Sequence, residues 1–281
     1  MSVRLLLLAC LLPVPAAAAS AEPAAGAISI IIDDIGPALE PGQRAIGLPG
    51  PVAYAFLPHT THSRRLAEAA AKGGKEVLLH LPMQAVQDGP LGPGAVTMDM
   101  DRVEFAAAVH GALAAVPHLV GVNNHMGSLL TRHPGHMTWL MQELKGRGDL
   151  FFVDSRTSAQ TVAERMAQEQ GVPALRRHVF LDHDPAPAAV AAEFERLIAL
   201  ARRQGLAVAI GHPYASTLAV LEHRLPMLQA QGIALIPLRE MIARQQTAGA
   251  KPVSPLQYEK DDGEMARAAA KVGGSDSSAR P

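Results

Sequence analysis

Eight short apolar runs, separated by amphipathic stretches, constrain this chain more than any other feature. The runs lie at 28–34, 52–57, 76–81, 119–125, 150–154, 179–182, 206–211 and 233–237. Their lengths and their β-branched or aromatic content fit buried parallel strands. Between them, 62–72, 101–115, 136–147, 158–170, 187–204 and 216–231 read as amphipathic helices. Asp101 followed by Glu104 forms a capping box at the start of one, and Gly73, Gly171, Gly205 and Gly232 stand where four others should stop. Repeated strand–helix alternation means a parallel sheet, open or closed into a barrel. The phosphate-binding signatures G-x-G-x-x-G and G-x-x-x-x-G-K-[ST], which open dinucleotide or nucleotide sheets would carry, are both missing. Eight strands then predict a single-domain α/β barrel, regular or distorted, over residues 27–246.

The two ends read differently. Residues 1–21 carry one positive charge at Arg4, an apolar run and small residues ending in A-S-A before Glu22. That is the pattern of a cleaved secretory signal, too short and too broken by Pro13 and Pro15 to span a membrane stably. A periplasmic or secreted protein is expected, with a lipid anchor at Cys10 in "LLAC" as the minor alternative. Cys10 is the only cysteine, so the mature chain would lack a disulfide, a thiol nucleophile and any Cys-ligated metal. Residues 247–281, rich in Pro, Gly, Ser, Ala and charge, read as a disordered tail with a short helix around 262–271. A net charge of -1 gives no footprint for nucleic acid, and 4% aromatic content argues against a long aromatic-paved sugar groove.

The strand ends hold the chemistry. "ISIIIDDIG" ends in Asp33 and Asp34, "LLHLPMQ" holds His80, and "GVNNHMGS" holds His125. "FFVDSRTS" holds Asp154, "VFLDHD" Asp182 and "AIGHPY" His212. In a parallel barrel all C-terminal strand ends open on one face, so these groups converge. Singly, each is as well explained as a helix N-cap or a hydrogen-bonded histidine. Jointly they suit a divalent metal, which activates water and polarises a carbonyl. A cation beside Asp34 would offset the cost of two adjacent carboxylates and leave the other free as a base. Neighbours on a strand face opposite ways, so both reach the site only if the chain bends, which Gly36 and Pro37 are expected to supply.

Those six motifs, in this order across residues 28–213, resemble the divergent polysaccharide deacetylase family of bacterial envelope proteins, a remote branch of the NodB-type carbohydrate esterases. The resemblance implies a distorted (β/α)7 barrel and a zinc-type metal-dependent N-deacetylase ancestry. By position, Asp33 matches the base and Asp34 a metal ligand. His80 matches the first histidine of a His-x-x-x-His pair, but Gln84 stands at the second, and His125 is the candidate replacement. The Arg and Tyr of the family's third motif are not seen; Asn123, Asn124 and Ser128 occupy that region. Asp154 resembles the Asp that orients a catalytic partner, and His212 the general acid.

The implied enzyme removes an acetyl group from an envelope polysaccharide or amino sugar, with Asp34, His80 and His125 holding zinc or another divalent metal. Asp33 acts as base and His212 as acid, while Asn124, Ser128 and Asp182 are expected to meet substrate. The alternative is a non-catalytic envelope factor on the same barrel, binding a glycan or an envelope protein; Gln84 favours it. A phosphatase or nuclease fits less well, since no second bank of carboxylates and no basic groove is visible. His59 and His62 read as a polar loop after the second strand, His133 and His136 as flanking a helix start, and Met137 and Trp139 as packing.

Overall fold

The computed structural model describes residues 26–87 and 89–247. The signal segment, Cys10, the tail beyond 247 and the helix expected at 262–271 lie outside the described residues. No helix among the described residues is long and apolar enough to cross a membrane.

The strands are β1 (Gly26–Ile35), β2 (Ala53–Phe56), β3 (Val77–Met83), β4 (Leu119–Met126), β5 (Phe151–Asp154), β6 (Ala174–Arg176), β7 (Val179–Phe180), β8 (Leu206–Gly211) and β9 (Ile233–Leu235). The helices are α1 (Leu39–Ile46), α2 (Ser63–Lys72), α3 (Arg102–Ala115), α4 (Pro134–Gly146), α5 (Ala163–Gln170), α6 (Pro187–Gln204), α7 (Ala215–Arg224) and α8 (Leu238–Thr247). Strand order is β6-β5-β4-β3-β2-β1-β8-β7, with β9 beside β1, and all pairs are parallel.

The two ends of that order are joined by the chain itself. β6 pairs with β5, and two residues later β7 pairs with β8. At the crossing, Arg177 N–H donates to the Asp154 carbonyl and His178 N–H to the Val208 carbonyl. Counting β6 and β7 as one bent staff gives seven staves, the distorted (β/α)7 barrel. β9 is an extra: it pairs with Gly26–Ile28, below the stretch of β1 that pairs with β2.

Period-two alternation divides the strand residues between two cores. Ile28, Ile30, Ile32, Leu79, Leu81, Val122 and Phe152 face outward and pack with helix residues such as Leu66, Phe105, Leu140 and Phe194. Ala27, Ile31, Leu78, Val153, Val208 and Ile210 face inward and meet Leu238, Met241 and Ile242 of α8. Because β9 lies at the start of β1, α8 plugs the N-terminal end of the barrel. Glu76 holds it there by accepting the Leu238 and Arg239 N–H groups at 2.6 and 3.0 Å.

The departures from the expected elements have local causes. α1 contains Pro41 and Gly42 and so reads as a loop. Gly42 lets α1 cross α2 closely: a Cβ there would sit 2.6 Å from Leu66 Cδ1, and the end of that side chain would have to turn aside. β6 is too short for a periodic signal. The helix expected from 158 starts at 163, because Asp154 ties down the preceding loop through Thr161. The helix expected to reach 231 ends at Arg224, where Pro226 turns the chain into 3₁₀ turns. The Asp101–Glu104 capping box is present in both directions.

His178 makes closure of the barrel sensitive to acid. Its Nδ1 accepts the Val208 N–H at 3.1 Å, so the ring must be neutral on that nitrogen. Burial, aided by nearby arginines, pushes its pKa down to about 3. Unfolded, the same histidine protonates near 6.5, so the unfolded chain binds the extra proton and stability falls as pH drops through that window. The loss should approach about 1.4 kcal/mol per pH unit below 6.5. Urea titrations at pH 7, 5.5 and 4.5 should show that slope reduced in His178→Asn, whose amide oxygen on Cγ takes the place of Nδ1 as acceptor of the Val208 N–H. An unchanged slope assigns the acid sensitivity elsewhere.

Candidate metal and catalytic site

The same parity sorts the candidate residues. Asp33 continues the inward set of β1, His80 that of β3, His125 that of β4, and His212 that of β8. These side chains crown the inner apolar plug at the C-terminal mouth. Asp34 belongs by count to the outward set. It reaches the site because it adopts a left-handed backbone, φ 57°, and the β1–β2 register shifts between Ile32 and Ile35. The bend is therefore at Asp34 itself, ahead of the expected Gly36–Pro37. Ile35 then faces the outer core again. Left-handed backbone at a non-glycine residue is uncommon and costs free energy, and such strain clusters at functional sites.

Three ligand atoms converge. Asp34 Oδ1 is 3.2 Å from His80 Nε2 and 3.0 Å from His125 Nδ1, and the two ring nitrogens are 3.1 Å apart. Among the described residues, Asp34, His80 and His125 form the group that could hold a metal ion. Asp34 Oδ1 is buried and makes no hydrogen bond despite two nitrogens at contact distance. A tetrahedral ion bound at ~2.0–2.1 Å needs ligand atoms about 3.3 Å apart. The triangle is close to that, and its oxygen and two imidazoles are a donor set that suits such an ion. The residues fit the group.

Asp33 lies beneath, 3.6 Å from His80 Nε2 through Oδ2. Its Oδ1 accepts from Asn123 Nδ2 at 2.8 Å. Asn123 Oδ1 in turn meets His80 Nδ1 at 2.8 Å. Across the mouth, His212 Nε2 is 3.8 Å from Asp34 Oδ2. Asp182 binds the other side of that ring, Nδ1 to Oδ1 at 2.9 Å, and accepts the His212 N–H and the Thr217 hydroxyl at Oδ2. The floor residues Asp33, His80 and Asn123 are buried. The side chains of Asp34, His125 and His212 remain 32, 24 and 15% exposed and form the face open to solvent.

Electrostatics follow from this crowding. Burial works against the Asp34 charge, but His125 and His80 outweigh it and hold the carboxyl far below its usual range. Burial raises Asp33, only partly offset by His80, His212 and Asn123. For His80, burial opposes the charge, yet Asp33 and Asp34 raise the ring to about 9. His212 is likewise raised: burial is outweighed by Asp182 and then by Asp33 and Asp34.

The remaining expected site residues serve other contacts. Asp154 has the parity of outward-facing Phe152, and its oxygens accept from Arg156 N–H and the Thr161 hydroxyl, both at 2.8 Å. The carboxylate that hydrogen-bonds His212 is instead Asp182. Asn124, also on the outward set, accepts the Ser155 N–H and donates to the Met126 carbonyl. Ser128 Oγ accepts the Val86 N–H. Gln84 points its Oε1 at Met98 N–H, 2.7 Å away, and anchors the loop leading to α3.

Residues given no role from the sequence also shape the site. Asn123 sits two residues before His125, so strand parity alone could have found it. Arg177 is buried, donates to the Ser155 and Arg156 carbonyls and lies 4.9 Å from the Phe180 ring; burial lowers it to about 10. Phe180 makes a T-shaped contact with His212 at 5.3 Å, and Tyr214, 48% exposed, lies 5.5 Å from His212. Nothing local in the sequence marks Arg177 or Thr217.

A seven-staved parallel barrel whose C-terminal mouth gathers an Asp-His-His triad, a buried Asp and an Asp-paired His defines a distorted (β/α)7 barrel with a candidate metal site at its mouth. The sequence profile of the divergent polysaccharide deacetylase family matches residues 30–242, and the chain belongs to that family. It is 39% identical over 198 residues to the uncharacterized protein YibQ of Escherichia coli, covering 70% of this chain and 62% of YibQ, under two thirds of that relative's length. It is 36% identical over 225 residues to an uncharacterized protein of Haemophilus influenzae, 80% of each. The crystal structure of the uncharacterized protein ATU2773 from Agrobacterium tumefaciens superposes with a TM-score of 0.74 at 22% identity, covering 79% of this chain and 90% of that one.

Proposed function

We propose that this protein is a metal-dependent N-deacetylase acting on an envelope polysaccharide or amino sugar outside the cytoplasm. The observation that carries the reading is the Asp34 Oδ1–His80 Nε2–His125 Nδ1 triangle, with an ionisable residue on each side of it. Asp34, His80 and His125 would hold the ion, zinc by the softness and number of the donors. When bound, it would polarise the acetamide carbonyl and lower the pKa of water.

The chain's own residues do the rest. Asp33 takes the proton of the attacking water, and its Oδ1 is held by Asn123 so that Oδ2 faces the site. His212 donates its Nδ1–H to Asp182, so the second, transferable proton of the imidazolium sits on Nε2. Burial is outweighed by Asp182, with Asp33 and Asp34, which raise that ring above its ordinary value and favour the protonated form that gives its proton to the leaving nitrogen as the C–N bond breaks. The products are acetate and a free amine. Tyr214, exposed beside His212, offers its ring to the sugar; Tyr214→Ala should raise KM several-fold with little change in kcat. A fall in kcat alone would give the ring a different role.

One observation favours a second reading, a non-catalytic barrel that binds a glycan or an envelope protein: Gln84 replaces a ligand and its side chain serves a loop. The deciding experiment is acetate release from N-acetylated envelope glycan fragments with zinc, cobalt or nickel supplied. Turnover supports the enzyme. Absence of acetate with every metal, together with glycan or protein binding, supports the second reading.

A further inference from the structure

We propose that Asn123 is the positioning residue that locks the base and the ligand set to each other: one amide orients the Asp33 carboxylate and dictates which nitrogen of His80 is free to bind a metal. The inference rests, for its metal arm, on the reading of His80 as a ligand. Asn123 is fully buried on β4, between β3 and β5, where neither end of the amide can turn to water. Its Nδ2 is 2.8 Å from Asp33 Oδ1 and its Oδ1 is 2.8 Å from His80 Nδ1.

An amide has donors at one end and acceptors only at the other. A carboxylate accepts, so the donor end must face Asp33. The acceptor end therefore faces His80 Nδ1, which must carry a proton. That leaves Nε2, directed at Asp34 Oδ1 and His125 Nδ1, as the nitrogen whose proton a metal would displace. Turning the amide over would set oxygen against carboxylate oxygen and move the His80 proton onto Nε2, closing the ligand position. A metal-binding histidine is commonly held by a hydrogen bond to its other nitrogen, which fixes the tautomer. Here the same side chain that does this also grips the base, so proton acceptor and ligand are set by one group.

The test uses the full chain, with Asn123→Leu, which keeps volume but neither hydrogen bond, and Asn123→Asp, which keeps an acceptor for His80 and loses the donor to Asp33. In metal-free protein labelled with ¹⁵N-histidine, a slowly exchanging His80 Nδ1–H, assigned by its loss in His80→Gln, should be present in wild type and Asn123→Asp and absent in Asn123→Leu. Zinc affinity should fall about 10–100-fold in Asn123→Leu and stay within about threefold in Asn123→Asp, while turnover falls in both. Should Asn123→Leu fail to fold, Asn123→Ala is held to the same loss of the protected Nδ1–H. A protected Nδ1–H in the leucine or alanine variant overturns the proposal, as does equal loss of zinc by Asn123→Leu and Asn123→Asp. If wild type takes no metal, the deacetylase reading fails, and the Nδ1–H comparison still decides whether Asn123 orients His80.

Discussion

Asp34→Asn should abolish metal retention at the proposed site, lowering affinity by about 100-fold or more. The carboxylate is the only anionic member of the triad, and its Oδ1 is buried without a hydrogen bond. An amide keeps the shape but offers a weaker neutral oxygen, and its amino group would face the two imidazoles if it turned. His125→Ala should do the same by removing one of two nitrogen donors. The backbone at Asp34 is left-handed in either case, and asparagine tolerates that conformation well, so the fold should survive. Metal content and zinc competition on purified protein check both variants, with thermal melts as the control. A full metal equivalent in either one removes that residue from the ligand set.

Asp33→Asn should keep metal and lose turnover by about 10²–10⁴. Asp33 contacts the ligand set only through His80 Nε2 at 3.6 Å, outside the triad, so its replacement leaves the three donors in place. What disappears is the proton acceptor. His212→Ala should also lower kcat, with modest effect on affinity, because protonation of the leaving nitrogen matters in the transition state. Asp182→Asn should reproduce part of that loss, since Asp182 holds the His212 ring and is not a ligand. Acetate release and metal content measured together separate the roles. An Asp33→Asn protein that turns over like wild type would remove Asp33 as the base. One that loses metal would place it among the ligands instead.

The order of elements, the parallel sheet and the gathering of Asp33, Asp34, His80, His125 and His212 at one mouth are all legible in the linear chain. Short apolar runs ending in Asp or His are a local signal, and parallel topology turns it into convergence. Strand parity extends this: it admits Asn123 and Asp182 to the interior and sends Asn124 and Asp154 outward. Parity failed at Asp34, where a left-handed residue and a register shift bring two neighbours to the same side. No local pattern announces that, because the backbone there is held by the surrounding sheet rather than by its own preference.

The partnerships were likewise decided only in three dimensions. Asp182, expected to meet substrate, binds His212 across thirty residues of chain, and Thr217 joins it from α7. Asp154, expected to orient a catalytic partner, spends its oxygens on the loop that delays α5. Gln84 turns to the chain at Met98. Residue type and strand position are written in sequence because they depend on neighbours along the chain. Which acceptor a donor finds depends on the packing of distant strands, and that is settled when the barrel closes through Arg177 and His178.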